Sequence, residues 1–188
     1  MIDDPEEIFK KTGAILTGHF LLTSGLHSPV YWEKAQVLQY PEYTAQLCGM
    51  MADHFLDSEI RVVVGPTTPG IILAYEVARQ LKVRGIFAEK ESSGERAFRR
   101  GFSITAGERV LIVDDILTTG GSICEVIDAV NCLGGEVAGI GVLVDRSREK
   151  VEFGIPFFSC LRSETISYSP PDCPLCVKGI PLVKPGSS

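Results

Sequence analysis

The sequence has one tryptophan, three histidines and no long uninterrupted run of apolar residues. Crossing a bilayer takes about 20 apolar residues in a helix, so no membrane-spanning segment is predicted. A basic excess is also lacking, because 18 Lys and Arg stand against 24 Asp and Glu, a formal net charge of −6. Binding to nucleic acid needs clustered positive charge. We therefore expect neither a nucleic-acid nor a membrane partner, and an anionic ligand would need a local basic site.

The length and composition are those of one ordinary globular domain. At 188 residues and 45% hydrophobic residues, the chain can bury a core without disulfides or a structural metal. Its first residues are acidic where a signal peptide would be basic, which predicts a cytoplasmic location. No internal repeat or low-complexity segment divides the chain, so we predict a single domain over residues 1–188.

Apolar helices and strands alternate from Pro41 onward. Such alternation predicts an α/β fold with a doubly wound, mostly parallel sheet. Before it, a short helix between Asp4 and Gly13 is followed by short strands and turns, which we interpret as a hood. We place the core at about 41–156 and the hood mainly at 1–40 and 157–188. The predicted helices are 41–56, 70–82 and 122–133, and the predicted strands are 61–65, 85–88, 109–113 and 137–144.

Ligands of doubly wound sheets bind outside the carboxyl ends of the strands. The turn after Val113 is the most informative, because an apolar strand delivers Asp114 and Asp115 and then a Thr- and Gly-rich turn that opens a helix at Ser122. Backbone N–H groups at a helix start attract phosphate, and glycine lets the main chain approach it. Two carboxylates repel phosphate, so they should face ribose hydroxyls or a metal. The combination predicts a sugar-phosphate site.

Five of the six cysteines fall into two groups. Cys48, Cys124 and Cys132 lie in or beside apolar helical stretches, where a free cysteine usually packs as a small buried hydrophobe. Cys173 and Cys176 form a C-x-x-C, which could be half a zinc site or a redox pair. No second C-x-x-C or H-x₃-H accompanies it, so we favour a packed turn over a metal site, with a reversible disulfide as the remaining alternative.

The histidines carry no recognisable pattern. His19, His27 and His54 have no metal-ligand spacing with one another. Single histidines are more often structural or exposed than catalytic. We therefore assign them no role.

The strand, the acid pair, two variable positions and T-T-G-G-S together resemble the signature of the type I phosphoribosyltransferases. A wider resemblance over almost the whole chain points to the orotate phosphoribosyltransferases. It rests on four segments, at residues 18–25, 39–42, 99–102 and 172–187. The resemblance implies transfer of ribose 5-phosphate from phosphoribosyl pyrophosphate to orotate by a Mg²⁺-dependent enzyme of pyrimidine synthesis that forms a homodimer.

The resemblance also implies roles for individual residues. Asp114 and Asp115 would contact the ribose hydroxyls, with Mg²⁺ held mainly through the substrate and no direct protein ligand. Thr118 and Arg146 would contact orotate, whose carboxylate suits the two-pronged donor geometry of arginine. From the sequence alone, a surface ion pair of Arg146 with Asp145 or Glu149 is an equally good interpretation. The full set expected to hold phosphoribosyl pyrophosphate is Asp114, Asp115, Ile116, Leu117, Thr118, Thr119, Gly120, Gly121 and Ser122.

Four basic residues lie in the polar stretch at about 89–101, namely Lys90, Arg96, Arg99 and Arg100. Breaking the bond to pyrophosphate builds negative charge on the leaving group, and positioned cations stabilise it. The resemblance implies that this loop is mobile, closes over the site and reaches across a dimer interface. Lys90 and Arg96, with the two acids, are the predicted catalytic residues, although a charge run is usually a solvated surface.

Two positions depart from the family pattern. Thr23 stands where many members have lysine, and Pro69 removes a backbone N–H from a turn otherwise suited to pyrophosphate. Tyr31 and Trp32 fall where the family has aromatic residues near the base, and either stacking on the pyrimidine or packing of the hood would explain them.

Three alternatives to the orotate reaction follow. One is a phosphoribosyltransferase for a purine or another base. A second is a non-catalytic regulator that senses phosphoribosyl pyrophosphate, although the acidic pI argues against nucleic-acid binding. The third is a signalling receiver domain, which leaves the Thr- and Gly-rich turn unexplained.

Overall fold

The structure is a computed structural model that describes residues 4–22, 24–163 and 166–185. Two short 3-10 helices, Lys34–Gln39 and Pro170–Asp172, supplement the main elements. The helices are α1 Pro5–Lys11, α2 Pro41–His54, α3 Pro69–Leu81, α4 Gly121–Cys132 and α5 Pro174–Val177. The strands are β1 Ile15–Leu21, β2 His27–Trp32, β3 Val62–Pro66, β4 Arg84–Lys90, β5 Arg96–Ala97, β6 Arg109–Leu117, β7 Glu136–Asp145 and β8 Phe157–Arg162.

A six-stranded sheet in the order β5-β4-β3-β6-β7-β8 forms the centre of the molecule. Every neighbouring pair is parallel except β4 with the short β5. Residues of β3 alternate between the two faces, since Val63 packs with α2 and α3 whereas Val62 and Val64 pack with α4. Helices on both faces of a mostly parallel sheet confirm the predicted doubly wound α/β fold.

Strand β6 is longer than predicted. It was expected to end at Val113, but its parallel pairing with β7 continues to Leu117, which lies opposite Asp145. Both acids therefore belong to the strand and not to the turn, and both are buried. The turn proper is reduced to the three residues from Thr118 to Gly120.

The hood is built from both ends of the described chain. Strands β1 and β2 form an antiparallel pair, and the C-terminal segment joins them through bridges between Phe20 and Val183 and between His27 and Tyr168. Strand β8 is different, because it pairs in parallel with β7 and so lies in the central sheet. The predicted hood boundary at residue 157 is therefore corrected: the C-terminal hood segment begins after β8.

The three cysteines predicted to be buried do not behave alike. Cys48 on α2 is fully buried, as expected, but Cys124 and Cys132 are exposed. The prediction was wrong for these two because they lie on the outer face of α4, whose inner face buries Ile123 and Val126. None of the helices in the described ranges combines the length and apolar character that crossing a lipid bilayer requires.

Candidate active site

The carboxyl ends of β3, β6 and β7 lie side by side, because these strands are neighbours in the sheet and run in the same direction. The turns that follow these three strands therefore meet at one edge. The backbone N–H of Arg146 donates to the carbonyl of Leu117 over 2.8 Å, which joins the residue after β7 to the last residue of β6. Thr118 and Arg146 are consequently neighbours.

Asp114 links the end of β6 to the start of α4. Its Oδ1 accepts a hydrogen bond from the backbone N–H of Asp115, and its Oδ2 accepts one from Ser122 Oγ, each 2.8 Å long. A buried carboxylate with two donors is held in one orientation. The Ser122 hydroxyl proton is thereby directed at Asp114, so a phosphate would have to displace this carboxylate to receive it.

The turn between β6 and α4 has two exposed threonines and a buried glycine. Thr118 and Thr119 are exposed, and Gly120 caps the helix with φ of +84°. A Cβ at Gly120 would also lie 3.1 Å from the Phe153 ring, so glycine is required by both conformation and space. The N–H groups that follow at Gly121 and Ser122 open a 12-residue helix, a favourable position for a phosphate.

Ile116 and Leu117, which were included among the predicted substrate-binding residues, contribute differently. Leu117 is buried in the apolar cluster on the α4 side of the sheet, and Ile116 packs against the cluster on the other side. Their side chains hold the strand end in place. Only their backbone groups remain for a ligand.

The turn from β3 into α3 is very tight. A Cβ on Gly65 would lie 2.0 Å from the carbonyl oxygen of Gly70, so only glycine permits this approach. Pro69 is the first residue of α3, where a proline N–H would not be used by the helix in any case. The turn thus loses one donor for an anion. The other departure from the family pattern, Thr23, lies outside the described residues.

Arg146 lies at the end of β7 in a half-buried position. Its guanidinium carbon is 5.9 Å from the centre of the Trp32 ring, within the range of a cation–π contact. Its Nε is buried, with no hydrogen-bond acceptor among residues 4–22, 24–163 and 166–185. Burial lowers the pKa of Arg146, and nearby Tyr31 opposes this effect. The side chain therefore has an unused buried donor beside the Thr-rich turn.

The alternative ion pairs for Arg146 find no support. In the described part of the chain, neither Asp145 nor Glu149 makes an ion pair with it. The buried carboxylate of Asp145 instead accepts hydrogen bonds from the backbone N–H and the hydroxyl of Ser147, at 2.9 and 2.6 Å.

The two aromatic residues of the hood occupy different environments. Trp32 is 6% exposed, and its ring meets Phe9 edge-on at 5.3 Å while Arg146 lies over it. It therefore packs the hood against the site and supports the guanidinium. Tyr31 is more exposed and contacts Phe20 at 5.7 Å, so stacking on a base remains a prediction for Tyr31.

All four loop cations are paired with acids. Lys90 and Arg96 lie 3.3 and 3.2 Å from the carboxylate of Glu125 on α4. Arg99 pairs with Glu91 at 2.7 Å and lowers the pKa of that carboxyl. Arg100 pairs with Glu89 at 2.9 Å.

Glu125 was not singled out from the sequence. Its partners are 35 and 29 residues away along the chain, and only the folding of the β4–β5 hairpin onto α4 reveals the contact. One guanidinium nitrogen of Arg96 also lies 3.5 Å from Thr67 Oγ1, at the end of β3. The loop is therefore adjacent to the strand-end site, with its cations neutralised.

Two cavities flank the strand ends. One, of about 690 Å³, reaches the site only through Leu117 and Asp145 and otherwise lies under residues 150–159. The other, of about 780 Å³, lies between the β4–β5 loop and α4, and Lys90, Arg96 and Glu125 line it. Thr118 and Thr119 line neither cavity. Both threonines are exposed, so the turn is open to solvent at these side chains.

Comparison with known proteins gives consistent results. Residues 34–174 match the family model described as the phosphoribosyl transferase domain. An orotate phosphoribosyltransferase of Pelotomaculum thermopropionicum is 56% identical over 98% of this chain and 97% of its own length. One from Desulforamulus reducens is 52% identical over 96% and 94%. The crystal structure of the Aeropyrum pernix orotate phosphoribosyltransferase superposes with a TM-score of 0.67 at 26% identity, over 83% of this chain and 92% of that one.

Proposed function

The chain belongs to the orotate phosphoribosyltransferase family, and we propose that it converts orotate and phosphoribosyl pyrophosphate to orotidine 5-phosphate and pyrophosphate. The reaction is a step in the synthesis of pyrimidine nucleotides. The bond from ribose C1 to pyrophosphate breaks, and a bond from C1 to a ring nitrogen of orotate forms. The ring nitrogen of orotate loses its proton to the pyrophosphate leaving group or to solvent as the new bond forms, so no protein nucleophile is needed.

The phosphoribosyl group is assigned to the end of β6. The N–H groups after Gly120 and the Thr118 and Thr119 hydroxyls offer donors to the 5-phosphate. The buried acids Asp114 and Asp115 are assigned to the ribose hydroxyls. Because Asp114 is already oriented by Ser122 and by the backbone of Asp115, little reorganisation is needed on binding.

The arrangement of Arg146 carries the assignment of the base. An arginine with a buried, unused Nε donor beside Thr118 suits a planar carboxylate, which can accept two parallel N–H bonds. A purine base offers no carboxylate to this group. Phe9 packs against Trp32, and the Trp32 ring supports the Arg146 guanidinium on one side. The guanidinium is therefore positioned before orotate binds.

Oxygen donors at the strand end suit Mg²⁺, which prefers carboxylates, phosphates and water. Among the described residues, no group of three or more metal-ligating side chains includes Asp114 or Asp115. We assign the ion mainly to the oxygens of phosphoribosyl pyrophosphate, whose ribose hydroxyls are assigned to Asp114 and Asp115. When bound, Mg²⁺ supplies positive charge that stabilises the pyrophosphate leaving group.

The loop cations are assigned to pyrophosphate. Lys90 and Arg96 are 54% and 7% exposed at their side chains, and Arg96 already reaches towards Thr67 on the neighbouring turn. If Lys90 and Arg96 left Glu125 and paired with pyrophosphate, their positive charges would lie beside the leaving group. The same movement would cover the open turn at Thr118. Exclusion of water protects the oxocarbenium-like transition state from hydrolysis. Arg99 and Arg100 are more exposed and are assigned to the outer part of the same anion.

We also propose that the active form is a homodimer. Ile72 and Tyr75 lie one turn apart on α3 and are 45% and 69% exposed. Apolar side chains at this spacing share one helix face, and such a face on α3 suits association with a second copy.

The test follows the ultraviolet absorbance of orotate after phosphoribosyl pyrophosphate and Mg²⁺ are added, with EDTA in a parallel sample. Absorbance should fall only with Mg²⁺ and should stay constant for Arg146→Ala, while the matched variant Arg148→Ala keeps the wild-type rate. Arg148 is exposed and bonds only Ser167 among the described residues.

Uracil and adenine in place of orotate test the choice of base. Uracil lacks only the carboxylate, so its turnover should be far slower, and adenine should not react. Faster turnover of adenine would overturn the orotate assignment in favour of a purine enzyme. Binding of phosphoribosyl pyrophosphate with no turnover of any base would favour the regulator.

A further inference from the structure

Four metal-ligating side chains meet in the hood. His19 on β1 and His27 on β2 face Cys173, which precedes α5 as its N-cap residue, and Cys176, which lies within α5. One ligand atom from each lies within 4.8 Å of all the others. The first three residues are buried, at 2%, 5% and 0% exposed, so this is a built site and not a chance surface cluster.

We propose that these four residues bind one Zn²⁺ ion. Zinc bonds of about 2.0–2.1 Å to nitrogen and about 2.3 Å to sulfur place tetrahedral ligand atoms roughly 3.3–3.8 Å apart. The distances are 3.3 Å from Cys176 Sγ to His27 Nδ1, and 3.5 and 3.8 Å from Cys173 Sγ and Cys176 Sγ to His19 Nε2. His19 Nε2 and His27 Nδ1 are 2.9 Å apart, slightly closer than zinc would hold them. The two remaining pairs, Cys173 with His27 and Cys173 with Cys176, lie within 4.8 Å. Small rotations of these side chains would complete the tetrahedron.

The orientation of His19 suits a ligand. Its Nδ1 lies 2.7 Å from the carbonyl oxygen of Ile180, and a carbonyl only accepts, so Nδ1 carries the proton. Nε2 therefore presents its lone pair to the cluster. A histidine ligand commonly has its other ring nitrogen bound in this way, which fixes the tautomer.

The ligand types identify the metal. Two thiolates with two imidazoles in a tetrahedral arrangement suit Zn²⁺ and exclude Mg²⁺, which takes oxygen ligands. Four protein ligands fill the coordination sphere, so the ion would be structural and separate from the proposed transfer reaction.

The site would join the two ends of the chain. The C-terminal segment already meets the hairpin through bonds from Leu21 N–H to Val183 O, from Val183 N–H to His19 O, and in both directions between His27 and Tyr168. These contacts are few, and α5 has no fully buried residue. A zinc ion would anchor α5 to the hairpin whose β2 ends at Trp32, and so stabilise the wall behind Arg146.

The experiment measures metal content and its effect on stability. Wild-type protein purified without added metal should contain one zinc per chain by elemental mass spectrometry. Cys176→Ser should lose most of it, and the matched control Cys132→Ser, which also removes an exposed cysteine, should retain it. A strong chelator should lower the thermal unfolding midpoint of the wild type and of the control, and leave that of Cys176→Ser unchanged.

A second measurement needs no variant. Reduced, metal-free wild-type protein titrated with Co²⁺ should develop thiolate-to-cobalt charge-transfer absorption with the visible bands of a tetrahedral site, saturating at one equivalent. Absence of both bound zinc and this absorption would overturn the proposal. So would a mass that shows a disulfide between Cys173 and Cys176 in protein purified without reductant and exposed to zinc.

Discussion

The guanidinium of Arg146 lies over the ring of Trp32, 5.9 Å from its centre, where the hood meets the carboxyl-terminal edge of the sheet. The contact connects a residue of β2 to the end of β7. The hood therefore supplies more than a cover, because it sets the position of the side chain that we assign to orotate.

Replacement of Trp32 by leucine should raise KM for orotate about twofold to thirtyfold, because a cation–π contact is worth roughly 0.5–2 kcal/mol. KM for phosphoribosyl pyrophosphate should change much less. Trp32→Phe keeps an aromatic face and should recover most of the loss. Steady-state kinetics with each substrate varied in turn measure this, and an equal rise in both KM values would show that Trp32 only maintains the fold.

Replacement of Gly120 by alanine should weaken binding of phosphoribosyl pyrophosphate and destabilise the fold by about 1–2 kcal/mol, because φ is +84° and the new Cβ would press on Phe153. Gly13→Ala is the control, since Gly13 has φ of +70° with nothing within 4 Å of a Cβ. Denaturant unfolding should show a lower free energy of unfolding for both variants. Calorimetry should show weaker binding of phosphoribosyl pyrophosphate for Gly120→Ala alone. Unchanged affinity in Gly120→Ala would remove the phosphate from this turn.

Replacement of Glu125 by glutamine should lower KM for phosphoribosyl pyrophosphate by about twofold to fivefold, since partly exposed ion pairs are worth roughly 0.2–1 kcal/mol. The Glu125 carboxylate pairs with Lys90 and Arg96 and so competes with pyrophosphate for these two cations. Asp128→Asn, one turn further along α4, removes the same charge without releasing either cation. A similar change in both variants would mean that net charge alone is responsible.

Thiol labelling should divide the cysteines by burial. Burial raises the pKa of Cys160 to about 12 and also raises the pKa of Cys48, so both thiols are protonated at neutral pH. Cys48 is fully buried and Cys160 is partly buried. Iodoacetamide should modify Cys124 and Cys132 in the native protein and reach Cys48 and Cys160 only after unfolding. Peptide mass spectrometry gives the sites. Native labelling of Cys160 as fast as Cys132 would contradict the placement of β8 against α2.

Local signals explain what could be predicted from the sequence. The alternation of apolar helices and strands predicted the fold class, and the residues between β6 and α4 predicted the sugar-phosphate turn. Both patterns are visible among residues that are close together in the chain. The strand's continuation to Leu117 depends on pairing with β7, which no local pattern encodes. Strand β8 was missed for the same reason.

Long-range contacts account for the largest omission. His19 and Cys173 are 154 residues apart, and they meet only because the C-terminal segment pairs with the hairpin. A search for ligand spacing within one stretch of chain could not find this cluster. Nor could it find Glu125 as the partner of Lys90 and Arg96.

Mixed dimers test whether the loop acts across a subunit interface. In the structure, Lys90 and Arg96 rest on Glu125 of their own chain, so the loop would have to leave α4 to reach a partner's site. Co-expression of Lys90→Ala/Arg96→Ala with Arg146→Ala, each with a different affinity tag, allows mixed dimers to be purified in two steps.

The two parent homodimers should both be nearly inactive. If the loop serves the partner, one of the two sites in a mixed dimer has intact Arg146 and an intact loop, and turnover should reach about half that of doubly tagged wild type. If each loop serves its own site, both sites remain defective and the mixed dimer is inactive. Failure to recover any doubly tagged wild-type protein would overturn the homodimer itself.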